Sequence, residues 1–187
     1  MHQALGAKDR MLQAATKLLE QEERAEDITV RKIAQRAGVG VGLISYHFGS
    51  KDHLLSAASN QIISGTITEF SKQATITDPI DRLKALIKVI FQLDRRQQNL
   101  IQFLLTLGPL RGDLKTSLYL VDVLHEIYGD TKGELALRIL ALQMLQPLEI
   151  ALMNPEEFRL FSGVDVYDQA SRNEFIDLLV DNLIQTR

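Results

Sequence analysis

The sequence predicts an all-α protein. Apolar residues recur at helical spacing along almost the whole chain, and no run of β-branched residues alternates with period two between turns. Cap residues and glycines punctuate the apolar stripes at helix-length intervals. With 45% hydrophobic residues the chain can bury a core, and four prolines and eleven glycines exclude collagen-like and low-complexity chains.

The elements follow in order. Met11, Ala15, Leu18 and Leu19 form one stripe of a first helix from about Ala7 to Glu22, where Glu20, Glu22 and Glu23 oppose the helix dipole. Thr29 caps a second helix whose Val30, Ile33, Ala34 and Ala37 share a face, and Gly38 ends it. A short third helix runs from about Val41 to His47, and Ser50 caps a fourth that extends from Lys51 to about Gln73. Asp78-Pro79 opens a fifth helix reaching about Asp94. A sixth is expected over Gln97–Leu107, closed by Gly108-Pro109, and a seventh over Asp113–Tyr128. An eighth covers Lys132–Met153, a short one Glu156–Leu160, and the last Gln169–Gln185. Pro147 should kink the eighth near Gln143.

Several function classes drop out. The chain has no cysteine, which removes disulfides and thiol chemistry. No two of the four histidines stand at metal-ligand spacing, and no phosphate loop, dinucleotide fingerprint or nucleophile elbow is present. We therefore expect no enzyme, no metal and no cofactor. The polar start MHQALGAKDRMLQ lacks the apolar stretch of a secretory signal. The most apolar window, Leu135–Met153, is broken by Arg138, Gln143, Gln146 and Glu149. The expectation is a cytoplasmic protein without a membrane span, in which the eighth helix is central and surrounded on most sides.

Charge is uneven. The net charge is −3, yet Arg31, Lys32, Arg36 and Lys51 face Asp52 alone within residues 28–55. From residue 56 onward 17 carboxylates outnumber 13 cations. A basic patch on an acidic body suits a phosphate-facing head.

That patch coincides with two short helices joined by a glycine-containing turn, a helix-turn-helix. Small Ala34 and Ala37 allow a close crossing, Val39 fills the turn, and Ile44 and Phe48 lie one helical turn apart on an inner face. Gly42, Leu43, Ser45, Tyr46 and His47 then fall largely on the outer face, a small polar surface that suits insertion into a groove.

The run Thr29-Val30-Arg31, Ile33-Ala34, Ala37-Gly38-Val39, Tyr46-His47-Phe48, Lys51 and Leu54-Leu55 resembles the TetR family of transcriptional regulators. The close likeness covers about a quarter of the chain. It implies an all-α homodimer with an N-terminal three-helix DNA-binding domain, residues 1–50. A larger C-terminal helical domain, residues 51–187, would serve ligand binding and dimerisation. It also implies a palindromic operator in double-stranded DNA and repression relieved by a small molecule. On these positions the DNA-binding residues are Thr29, Arg31, Gly40, Val41, Gly42, Leu43, Ser45, Tyr46, His47 and Lys51. Many relatives carry a polar or basic residue at Val41, a threonine at Leu43 and an aromatic at Ser45. With fewer donors here, apolar contact with thymine methyls gains weight.

In the C-terminal domain Phe91 and Phe103 are candidate pocket aromatics. His125 and Gln143, with Gln102, Gln146 and Glu149, are polar groups on apolar helices that need a ligand, a neighbouring side chain or solvent as partner. The eighth and last helices, the latter with Phe175, Leu178, Leu179 and Leu183, are the dimerisation candidates. Two other functions fit the residues: a ligand-independent DNA- or chromosome-binding factor, and a helical protein-interaction module that no longer binds DNA.

Overall fold

The computed structural model of the chain describes residues 6–21, 27–73, 75–92 and 114–184. Among these the secondary structure is helical, with no strand. The helices are α1 (Ala7–Gln21), α2 (Val30–Ala37), α3 (Gly42–Phe48), α4 (Lys51–Gln73), α5 (Pro79–Ile90), α6 (Lys115–Tyr128), α7 (Glu134–Met153), α8 (Pro155–Ser162) and α9 (Gln169–Leu183). The expected helix over Gln97–Leu107, its Gly108-Pro109 stop, and the expected ends at Glu22, Asp94, Asp113 and Gln185 lie outside the described residues.

The chain divides into two compact units, the first holding described residues up to Gly65 and the second those from Thr66 onward. The division thus falls within α4 rather than after residue 50, because Leu54, Leu55 and Ala58 belong to the amino-terminal core. That core joins Met11, Ala14, Ala15, Leu18 and Leu19 of α1 to Ile28, to Ile33, Ala34 and Ala37 of α2, and to Ile44 of α3. Each fully buried Leu, Ile or Met side chain there contributes roughly 1.5–3 kcal/mol of transfer free energy.

In the second unit α6 packs against α5 and α7, and α9 packs against α5 and α7. The Asp78 carboxylate accepts from the Ile80 and Asp81 amides at 2.9 Å, as the Asp-Pro start predicts. Asp168 caps α9 by accepting from the Ser171 amide at 2.8 Å. Buried Arg172, in the first turn of α9, donates to the Val166 carbonyl at 2.6 Å and holds the preceding loop down. Ion pairs Lys84–Asp181 and Lys88–Asp177, each 2.6 Å, tie α5 to α9.

The eighth predicted helix, α7, departs from its expected environment. It runs unbroken through Pro147 and buries one face, Leu137, Ala141, Met144, Leu145, Leu148, Ala151 and Leu152. Leu135, Ile139, Ile150 and Met153 are exposed, so α7 is not surrounded on most sides. Its length and composition would allow a membrane crossing. Its inward face instead packs in a helical core, and Glu134 and Arg138 form an ion pair on its surface.

Candidate nucleic-acid interface

The site is built on α2, α3 and the start of α4. Thr29 adopts an extended conformation before α2, and its hydroxyl oxygen accepts from the Lys32 amide at 3.2 Å. That hydroxyl keeps its own proton for an outside acceptor. Arg31, Lys32, Gln35 and Arg36 are exposed along the outer side of α2. The helix ends at Gly38, whose φ of 64° is the left-handed conformation. The Gly38 amide donates to the Gln35 carbonyl at 3.2 Å and the Val39 amide to the Ala34 carbonyl at 3.0 Å. This reciprocal termination turns the chain sharply toward α3.

On α3 only Ile44, 1% exposed, points fully inward, while Val39 and Phe48 lie partly buried against the same core. Gly42, Leu43, Ser45 and Tyr46 are exposed, as are Gly40 and Val41 before them. Tyr46 is 81% exposed, and its ring stands edge-on to His47 with centroids 4.9 Å apart. Ser50 caps α4 by accepting from the His53 amide at 3.1 Å, which places Lys51 in the first turn. An ammonium at a helix start suits a phosphate.

Thr29, Arg31, Gly40, Val41, Gly42, Leu43, Ser45, Tyr46, His47 and Lys51 all lie between residues 29 and 51 of the amino-terminal unit, exposed except for the partly buried His47 and Lys51. The fold also adds two residues that sequence reasoning missed. The Lys8 ammonium lies 5.8 Å from the Phe48 ring centroid, and Arg10 Nε donates to the Ala37 carbonyl at 3.1 Å. Their sequence signal was weak but present: two cations in the first turn of α1, where the helix dipole disfavours them.

Phe91 is buried at the end of α5. His125 is exposed, with Nε2 at 2.9 Å from a Glu134 carboxylate oxygen, and Gln143 and Gln146 are also exposed. His125 thus has a neighbouring side chain as its partner, and Gln143 and Gln146 face solvent, two of the three alternatives open to these groups. Glu149 is half-buried, and burial pushes its carboxyl pKa up. Phe103 and Gln102 lie outside the described residues.

The helices α2 and α3, joined by the turn at Gly38, form a helix-turn-helix with an outward-facing second helix. Residues 11–58 match the family described as "Bacterial regulatory proteins, tetR family". The HTH-type transcriptional regulator BetI 1 of Chromohalobacter salexigens is 39% identical over 75 residues, which cover 39% of this chain and 36% of that protein. This chain's match thus spans about a third of the length of such curated relatives. A TetR transcriptional regulator from Rhodococcus sp. RHA1 superposes with TM-score 0.71 at 20% identity, covering 96% of this chain and 97% of its own. The multidrug binding protein EbrR complexed with ethidium gives TM-score 0.56 at 22% identity over 97% and 100% of the two chains. These neighbours share the fold across the chain, an N-terminal helix-turn-helix domain followed by a helical domain, as expected.

Proposed function

We propose that this protein is a dimeric, sequence-specific DNA-binding transcription regulator of the cytoplasm, a repressor that a small molecule releases. The observation that carries the reading is α3: one buried residue, an outer face open to a groove, and cations around it on α1, α2 and α4. In this reading Thr29, Arg31, Tyr46, His47 and Lys51 hold phosphates, while Gly40, Val41, Gly42, Leu43 and Ser45 face the bases. Homodimerisation rests on the exposed apolar residues of α7, Leu135, Ile139, Ile150 and Met153, with Leu178 of α9. Two copies would place their α3 helices in successive major grooves about 34–36 Å apart.

The release step draws on the fold shared with the multidrug binding protein EbrR, whose structure is complexed with ethidium. Phe91 is the ligand candidate with an interior position. The helix α4 has residues in both units, so a ligand with different affinity for two arrangements of α4 would change operator affinity.

Binding to randomised duplexes at several salt concentrations tests the core claim. A palindromic site should be recovered, and Lys51→Ala should weaken all sequences similarly while lowering the salt slope by about one unit. Failure to bind any duplex at low salt removes the DNA-binding reading. A melting-temperature screen against small organic cations and metabolites tests the effector, since a ligand that binds the folded state raises the midpoint.

A further inference from the structure

The residues ahead of and within the first turn of α3 have an unusual make-up: Gly40, Val41, Gly42 and Leu43 in succession. The two glycines are not required by the fold. Neither has the positive φ that marks Gly38 and Gly49. A Cβ built on Gly40 or Gly42 meets no atom within 4 Å. Glycine within a helix costs stability relative to alanine. Gly42, inside α3, bears that cost with no contact in the protein that a Cβ would displace, and Gly40 stands just ahead of the helix with the same open space.

Beside these gaps stand two apolar side chains, Val41 at 47% and Leu43 at 37% exposure. Leaving such side chains in water is unfavourable, and each would gain by meeting an apolar group. Between Gly40 and Tyr46 the exposed side chains are Val41, Leu43 and Ser45, so this stretch offers no amide or guanidinium to the bases. Guanine and adenine are read best by Arg, Lys, Asn or Gln, none of which is present here. The apolar feature in the major groove is the thymine C5-methyl group.

Resting on the DNA-binding reading above, we propose that this protein selects its operator by apolar contact: Val41 and Leu43 read thymine methyls, and the bare backbone at Gly40 and Gly42 lets them reach the groove floor. The cations around α3 supply affinity without sequence preference. Val41 and Leu43 supply preference without charge. Gly42 is thus a functional glycine, whereas Gly38 is a structural one.

The test uses the full-length protein and the duplex it selects from a randomised palindromic library. Thymines of each half-site are replaced one at a time by deoxyuridine, which removes the methyl and keeps the base pairing. Loss of a buried methyl should weaken binding about fourfold at each contacted position. Leu43→Ala should weaken the thymine duplex and become insensitive to uracil at the position Leu43 reads. Gly42→Ala should leave the melting temperature unchanged or raised and reduce affinity. Equal binding of thymine and uracil duplexes, or selected half-sites with guanine and no thymine at the centre, overturns this inference and leaves DNA binding standing. Binding to no duplex at low salt overturns both. The uracil comparison needs no variant, so a misfolded Leu43→Ala cannot shield the claim.

Discussion

At the scale of single residues, similar side chains take opposite roles according to what surrounds them. Glu134 and Glu149 sit on the same helix. Arg138, and after it His125, hold the Glu134 carboxyl below the usual carboxylate range by hydrogen bonding to its charged form. Burial pushes the Glu149 carboxyl upward. A carboxyl whose folded pKa is raised favours folding most below its unfolded pKa, and that contribution is lost as pH rises through the raised value. At neutral pH the ionised Glu149 therefore opposes folding. Glu149→Gln should raise the melting temperature at neutral pH, and the gain should vanish below about pH 4. Paired thermal melts across that range check it, and a constant gain at all pH values would reject burial as the cause. Neither behaviour could be read from the chain, where both residues are glutamates on an apolar helix.

At the scale of elements, the amino-terminal helices are specified by their ends. Thr29, Gly38 and Ser50 act on atoms within five residues of themselves, so α2, α3 and the start of α4 fall within a residue of their expected limits. Asp78-Pro79 does the same for α5. Gly38→Ala isolates one such signal. With no atom within 4 Å of the added Cβ, only the left-handed backbone resists the change. The loss should be about 1 kcal/mol, measured by urea denaturation. An unchanged midpoint would mean that the turn relaxes. The environment of α7 was less legible. Its apolar residues occur nearly all round, so periodicity alone does not say which face meets α6 and α9 and which stays open.

At the scale of the whole molecule, the open face of α7 carries the largest consequence. Leu135, Ile139, Ile150 and Met153 leave apolar surface that single-copy packing does not cover. Ile139→Glu places a charge there while leaving the inward residues intact. Sedimentation should shift from dimer to monomer, and operator affinity should fall at least tenfold because one half-site no longer anchors the other. The melting temperature at high dilution should change little. A dimer that survives Ile139→Glu would move the interface elsewhere. The tilt of charge toward the amino-terminal unit was legible in composition, but its arrangement around α3 was not. Lys8 and Phe48 are remote in sequence, as are Arg10 and Ala37, and only packing of α1 on α2 and α3 unites them.

The sequence by itself determined the helical class, the helix-turn-helix and its caps, and the likeness of residues 11–58 to the tetR-family model. Those features depend on interactions spanning a few residues, so their physics is local and visible in the order of side chains. Tertiary structure alone decided that α1 sets Lys8 by Phe48 and Arg10 by the end of α2, that His125 and Gln143 face outward, and that α7 keeps an uncovered apolar side. Each of these depends on which helix faces another across the core. That choice is made by shape and burial summed over many distant residues, and no short stretch of sequence encodes it.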